Sequence, residues 1–202
     1  GDLSGRANDD VCAFYTANLK LDGLKGVRLG IVRSSYDFGD RVNEIFDDAI
    51  ENMSYLGATI VDPVEVNNVD ALAHNEMEVL LYEFKAGINN YLRSHNNPAG
   101  MGCLSDIISY NDENSSAVMK YFGQELFLMA DEKGGLDSKI YLEAKEENIR
   151  LAGEEGLKLA LDKHNLDALV FPTGGLPWVV DVLNGDCSSG HSCRPAAVSG
   201  YP

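Results

Sequence analysis

The sequence predicts a layered α/β fold, in which a largely parallel or mixed sheet is flanked by helices. Three short runs rich in branched apolar residues have the composition of buried strands, at residues 27–32, 58–61 and 167–171. Between them, apolar residues recur every three or four positions, as in helices that pack by one face. Strands that alternate with helices favour parallel pairing, because the chain must cross a face of the sheet between them.

The clearest unit is a strand, a helix and a second strand within residues 27–62. Asp40 is well placed as the N-cap of the helix, and Gly57 is placed to end it in the left-handed conformation. The apolar residues of the helix form one stripe, which consists of Val42, Ile45, Phe46, Ala49, Ile50 and Met53. Asp62-Pro63 ends the second strand, so we expect two parallel strands joined by a right-handed crossover.

The region after this unit is predicted to be mainly helical. A helical pattern covers residues 69–92, until the Asn-Asn-Pro sequence at 96–98 breaks it. Seven apolar residues have helical spacing in this pattern: Met77, Leu80, Leu81, Phe84, Ile88, Tyr91 and Leu92. Shorter helices are expected near residues 105–110 and 118–129.

A long helix is expected from about Ser138 to Lys163. Its exposed face carries two oppositely charged pairs at i, i+4 spacing, which are Glu146 with Arg150 and Glu154 with Lys158. Asn165 is placed to terminate this helix, and Pro172 stops the third strand.

Composition predicts a globular chain and excludes some classes of partner. A chain of 202 residues, of which 45% are hydrophobic, can bury one substantial core. The 32 acidic and 16 basic residues give a net charge of −16, which repels phosphate backbones and anionic lipid surfaces. No apolar run approaches the roughly 20 residues that cross a bilayer. We therefore expect no nucleic-acid or membrane partner, and no motif indicates a cofactor.

The four cysteines, at positions 12, 103, 187 and 193, are interpreted as mostly reduced and structural. The stretch from Cys187 through His191 to Cys193 offers three possible zinc ligands, whereas a structural zinc site needs four, usually from separated pairs. A disulfide between Cys187 and Cys193 and a flexible Ser/Gly loop are the alternatives. We therefore assign no metal ligand.

Six stretches of the sequence follow one another in a characteristic order, namely residues 24–32, residues 56–63, Tyr82-Glu-Phe-Lys-Ala-Gly87, Tyr121-Phe-Gly-Gln-Glu125, Phe171-Pro-Thr-Gly-Gly175 and Pro195-Ala-Ala-Val-Ser-Gly-Tyr-Pro202. This series resembles the amidase signature family. A glycine-flanked βαβ unit alone belongs to many folds, so the order of the motifs makes the match specific. The chain most resembles the stand-alone amidases of the family. It is also similar to the A subunit of the amidotransferase that amidates mischarged transfer RNA.

The resemblance implies part of the amidase signature fold and part of a larger enzyme. In that family an upstream Gly/Ser-rich segment supplies a nucleophilic serine, a second serine on a cis peptide and a lysine, and no such segment occurs here. The chain begins without Met and stops on Gly200-Tyr201-Pro202, in a run typical of the approach to a strand. We therefore expect residues 1–202 to be a single partial domain, the C-terminal portion of an amidase. The serine that attacks the carboxylic amide would lie outside this chain.

The same resemblance indicates candidate substrate-binding residues. Thr173, Gly174 and Gly175 directly follow the third strand, at the sheet edge where ligands bind in open α/β sheets. Asp186 matches an acidic residue that faces the substrate's amino group in the amidotransferase subunit, and Gln124 is expected to face the pocket. The expected ligand is a small-molecule amide. The alternatives are that Gly174-Gly175 merely turns the chain and that Asp186 forms a turn.

No residue of this chain is expected to be catalytic. The Ser188–Ser192 loop superficially echoes the family's nucleophile segment, but it lacks the flanking glycines and a partnered lysine. The competing hypothesis is a self-sufficient, non-enzymatic binding domain with a metal or partner at the Cys187–Cys193 loop. The two hypotheses differ in their surfaces, because part of an amidase would expose an unpaired strand edge and an apolar face. Self-association through that edge would then be expected.

Overall fold

The computed structural model describes residues 17, 19–33, 38–185, 190 and 192–202. They divide into two compact units, each formed by segments that are separated in sequence. Among the described residues, the first unit comprises those in the ranges 17–65, 160–176 and 190–192, and the second comprises those in the ranges 66–159, 177–185 and 193–202.

The first unit is built on a three-stranded parallel sheet. Its strands are β1 (Arg28–Ile31), β2 (Thr59–Val61) and β3 (Ala168–Val170), in the order β2-β1-β3. Leu29 of the central strand is in register with Ile60 on one side and with Ala168 on the other. The predicted α/β class and its three parallel strands are confirmed.

Helix α1 (Asp40–Tyr55) connects β1 to β2 and packs Phe46 and Ile50 against Ile31. The N-cap is Gly39, with a φ of 91°, and not Asp40 as predicted. Asp40 is instead the first helical residue, where a carboxylate still interacts favourably with the positive end of the helix dipole. The prediction was therefore wrong by one position, because glycine provides the positive φ that this entry into the helix needs.

The second unit is helical. Its elements are α2 (Leu72–Ser94), a 3₁₀ turn (Pro98–Gly100), α3 (Leu104–Glu113), α4 (Ser115–Val118), α5 (Glu125–Asp131), α6 (Lys139–Asn148), a π-helix (Ile149–Lys158) and, near the end of the chain, α8 (Arg194–Ser199). The π-helix is followed in the chain by α7 (Leu159–His164), which belongs to the first unit except for its first residue.

Helix α2 is the helix to which most of the second unit attaches. Its Leu81 packs with Leu104 and Ile108 of α3 and with Ala130 of α5. The Lys85 ammonium donates hydrogen bonds to two carbonyl oxygens where α5 ends, those of Asp131 and Lys133. On the side towards α6, the rings of Tyr82 and Tyr141 lie 5.5 Å apart, and the Tyr141 hydroxyl donates to Glu83 at 2.7 Å.

Three helices end with a left-handed residue and a hydrogen bond that spans six residues. The left-handed residues are Gly57, Asn96 and Asn165, with φ values of 99°, 59° and 51°. The residue after each donates its N–H to the carbonyl five positions earlier, in the pairs Ala58 with Met53, Asn97 with Leu92 and Leu166 with Leu161. This is the Schellman arrangement, and it confirms the helix ends predicted at Gly57 and Asn165.

The long predicted helix is present, but its middle is a π-helix. Gly153 and Gly156 are buried within it, and a side chain on Gly156 would come within 2.8 Å of the Leu151 carbonyl oxygen. The wider spiral also changes the surface pairs, because residues five apart now share a face. Arg150 therefore pairs with Glu155, five residues later, and it also pairs with Glu147, three residues earlier, at 2.6 Å, and not with the predicted Glu146.

We predict that Gly30→Ala destabilises the chain by about 1–3 kcal/mol, as overpacking does in a close-packed interior. A Cβ atom at Gly30 would clash with the Leu166 side chain and lie 3.0 Å from Leu169 and 3.1 Å from Val64. The matched control is Gly87→Ala, since a Cβ atom there has no heavy atom within 4 Å. Helix propensity alone should make that control more stable by about 0.5–1 kcal/mol. Urea unfolding followed by circular dichroism measures both, and equal effects would contradict the packing of β1.

Candidate functional site

The carboxyl ends of the three strands meet at one edge of the sheet in the first unit. β1 continues into Val32 and Arg33, and the Val32 N–H donates to the Val170 carbonyl of β3 at 3.0 Å. β2 continues into Asp62 and Pro63. β3 continues through Phe171 and Pro172 to Thr173. The predicted wall residues therefore begin at the edge where parallel sheets bind ligands.

Thr173 is exposed at this edge, and the backbone that follows it is held in place. The Thr173 carbonyl accepts a hydrogen bond from the Ser192 N–H at 3.1 Å and another from the Ser192 hydroxyl at 3.4 Å. Ser192 is only 7% exposed. Gly174 and Gly175 are not among the glycines with positive φ, so their backbone conformation is open to any residue. What distinguishes them at this edge is the absence of a side chain.

A charged cluster joins the ends of β1 and β2. The Arg33 Nε atom lies 2.9 Å from both carboxylate oxygens of Asp62, and its Nη2 atom lies 2.8 Å from Asp62 and 2.7 Å from Asp47 of α1. The guanidinium also stacks over Phe46, 5.7 Å from the ring centre. Hydrogen bonds to Asp62 and Asp47 raise the pKa of Arg33 further above its ordinary value. This cluster was not predicted. The signal for it in the sequence is that Arg33 follows β1 and Asp62 follows β2, which are neighbouring parallel strands.

Gln124 lies in the second unit, immediately before α5, and its amide group is bonded to α3. Its Nε2 atom donates to the Asp112 carboxylate at 2.7 Å and to the Ile108 carbonyl at 3.3 Å. Its Oε1 atom accepts from Asn111 at 3.1 Å. Both amide protons are therefore used, and only the oxygen can make a further hydrogen bond.

The segment before Asp186 contains a turn that one carboxylate organises. Asp181 Oδ1 accepts the N–H groups of Leu183 at 2.9 Å and Asn184 at 3.1 Å, and Oδ2 accepts from the Asn184 side chain at 2.7 Å. The Gly185 N–H donates to the Asp181 carbonyl at 2.9 Å. These bonds, led by that from the Asn184 side chain, lower the pKa of Asp181. The turn was not predicted, although Asp followed by Asn-Gly is a recognised turn signal.

Asp186 itself lies outside the described residues, as do Cys187, Ser188 and His191. Cys193 is an exposed free thiol, and Cys103 is a half-buried one. Within the described ranges, no three His, Cys, Asp or Glu side chains are grouped so that they could hold a metal ion. None of the helices in those ranges is long and apolar enough to cross a bilayer.

Solved peptide amidases share the fold of this chain. It superposes with a TM-score of 0.85 and 39% identity on a peptide amidase in complex with the competitive inhibitor chymostatin, over 92% of this chain and 37% of that one. The native peptide amidase from Stenotrophomonas maltophilia gives a TM-score of 0.82 at 38% identity, over 92% of this chain and 37% of that one. The chain therefore matches part of the fold and sequence of peptide amidases, in agreement with the resemblance to the amidase signature family.

More distant amidases match as well. An amidase family protein from Bacillus anthracis gives a TM-score of 0.62 at 27% identity, over 78% of this chain and 30% of that one. A probable amidase from Arabidopsis thaliana is 28% identical over 193 residues, which are 93% of this chain and 33% of the plant protein. No family model matches the chain. The chain thus spans about a third of the length of the amidases that it matches.

These matches confirm the resemblance that the order of the motifs indicated, and with it the partial amidase signature fold. It does not test the individual binding residues. Thr173, Gly174 and Gly175 share one sheet edge in the first unit, whereas Gln124 belongs to the second unit. Their contacts with a substrate stay predictions.

We predict that the turn at Asp181 is lost only in strong acid. Because its pKa is lowered in the folded chain, the carboxylate stabilises the turn above its ordinary pKa of about 3.9, and this is lost as the pH falls through the folded value. The amide resonances of Leu183 and Asn184 in NMR spectra should therefore titrate below pH ~3.9. Asp181→Asn is the control and should abolish this titration, and a midpoint above that pH in the unsubstituted chain would contradict the turn.

Proposed function

We propose that this chain forms the scaffold and a wall of the substrate pocket in an amidase that hydrolyses a carboxylic amide C–N bond. The main support is the 39% identity and TM-score of 0.85 to a peptide amidase over 92% of the chain. At that identity the likeness extends beyond the fold to the sequence. The nucleophilic serine would be supplied by polypeptide outside this chain.

The reaction consumes one water molecule and releases an amine or ammonia and a carboxylic acid. A serine hydroxyl attacks the amide carbonyl carbon, the C–N bond breaks as the nitrogen takes up a proton, and water then hydrolyses the acyl-enzyme. The task of this chain is to hold the amide in position for that attack. Correct placement alone accounts for a large share of an enzymatic rate acceleration.

Thr173, Gly174 and Gly175 are proposed to form the wall itself. The exposed side chain of Thr173 offers a hydroxyl that can donate to or accept from an amide substrate. Gly174 and Gly175 allow the substrate to approach the backbone, because neither carries a side chain. Ser192 holds the first residue of this wall through two hydrogen bonds to its carbonyl.

Gln124 and Asp186 are proposed as two separate contacts. Since both amide protons of Gln124 are bonded to α3, this residue would accept a hydrogen bond from a substrate N–H and would donate none. Asp186 would pair with a cationic amino group, as charge-assisted hydrogen bonds to carboxylates do. It follows directly on the turn that Asp181 organises.

The amidase proposal predicts that activity depends on joining this chain to the remainder of an amidase. A chimera is made in which this chain replaces the matched segment of the Stenotrophomonas maltophilia peptide amidase. It should release ammonia from a C-terminally amidated peptide. The isolated chain, assayed at the same concentration, should release none, because the nucleophilic serine is proposed to lie outside it.

Two results would contradict this prediction. Release of ammonia by the isolated, purified chain would place a nucleophile within it. A chimera that is folded by circular dichroism but inactive towards peptide, aliphatic and aryl amides would contradict the amidase proposal. A catalytic serine variant of the same chimera controls for contaminating hydrolases.

A second prediction concerns the wall. In the active chimera, Thr173→Val should raise KM about 3- to 10-fold with little change in kcat, because one neutral hydrogen bond to bound substrate is lost. Thr59→Val is the matched control, since Thr59 is exposed at the opposite, amino end of β2. Equal kinetics for the two variants would remove Thr173 from the site.

A further inference from the structure

One face of α2 is apolar and exposed over almost the whole length of the helix. The α2 seam consists of Ala73, Met77, Leu80, Phe84, Gly87 and Tyr91, which follow one another at intervals of 4, 3, 4, 3 and 4 residues. All six are exposed, and the fractions for Met77, Leu80, Phe84 and Tyr91 are 42%, 54%, 40% and 56%. Alternating intervals of three and four residues are the spacing by which one helix packs along another.

The α2 seam borders the face that α2 already uses, where the Phe84 ring lies 5.4 Å from the ring of Phe127 on α5. Leu81 and Leu92 are buried, and Leu81 packs against α3 and α5. A helix at a protein surface normally has one apolar face and one polar face, whereas a helix that is apolar on both is covered on both. Isolated exposed leucines need no explanation, but a regular series along about five turns does.

The shape of the α2 seam suits a helix that lies nearly parallel to α2. From Met77 to Tyr91 it extends about 21 Å, at about 1.5 Å per residue. Large side chains alternate with the small residues Ala73 and Gly87, and a Cβ atom at Gly87 would meet no heavy atom within 4 Å. A partner side chain can therefore enter the space over Gly87.

We propose that the α2 seam is covered by a helix from the part of the amidase fold that the solved relatives possess beyond the segment matched here. This inference rests on the proposed function. The matched segment makes up 37% of the peptide amidase, so most of that polypeptide is available to supply the covering helix. A second copy of this chain fits less well, because each copy carries a net charge of −16.

The test uses this chain together with the remaining residues of the Stenotrophomonas maltophilia peptide amidase, expressed as a separate polypeptide. Binding between the two is measured by titration for the unsubstituted chain and for Leu80→Asp and Met77→Asp. Each substitution would bury a charge against apolar side chains, so we expect at least about a 10-fold loss of affinity. Leu142→Asp is the matched control, since Leu142 is an equally exposed leucine, at 51%, on α6. It should bind like the unsubstituted chain.

Because the substituted residues are exposed, the variants should keep the circular dichroism spectrum of the unsubstituted chain. Binding that is unaffected by Leu80→Asp and Met77→Asp, or equally weakened by Leu142→Asp, would overturn the inference. So would the absence of any complex, or a dimer of this chain in light scattering that Leu80→Asp abolishes. A complex that depends on the α2 seam but hydrolyses no amide would support the inference and contradict the proposed function.

Discussion

Parallel pairing of β1 with both of its neighbours is the constraint on which the first unit depends. β1 and β3 are separated by more than 130 residues of sequence, yet Gly30 is in register with Leu169. Arg28 strengthens this junction through its side chain, which donates to the Asn165 carbonyl at 2.9 Å and to the His164 carbonyl at 3.2 Å. A single central strand thereby fixes where β3 ends. The pairing of β1 with β3 thus determines where the loop after β3 begins, and with it the position of Thr173.

In the second unit, α2 is the element to which the other helices attach, and its side chains make these attachments. Its buried residues attach α3 and α5, Lys85 caps the end of α5, and Tyr82 and Glu83 meet α6. The ion pair between Lys133 and Glu78, at 2.8 Å, adds a further tie to the same helix. These contacts fix the neighbours of α2, while the α2 seam beside them presents apolar or small residues at regular spacing, of which Phe84 also packs on Phe127 of α5.

Most of the secondary structure could be predicted because local chemistry determines it. Gly57 and Asn165 end helices since both tolerate the left-handed conformation, and Pro172 ends a strand since it has no N–H to donate. The π-helix could not be predicted from a search for α-helical periodicity, although its two buried glycines weaken the α-helix there. Helix α8 was missed because its six residues are too few to show periodicity. The sequence located the candidate site at the edge of the sheet, but it did not predict the hydrogen bonds of Gln124 and Ser192. Those bonds join residues that are distant in sequence.

Apolar periodicity along a helix indicates that one face of the helix will be buried, but it does not indicate which part of the protein buries that face. The sequence marks Leu80, Leu81 and Leu92 as equivalent apolar positions of one helix, yet Leu81 and Leu92 are buried and Leu80 is 54% exposed. In a complete globular domain the two groups would face one core. This chain, however, spans about a third of the length of its relatives. Its exposed apolar residues can therefore be as well suited to packing as its buried ones, with their packing partner in another part of the fold. The regular intervals of the α2 seam are therefore better evidence for a helical partner than the amount of exposed apolar surface. Apolar residues that are exposed by chance would not recur every ~3.5 residues.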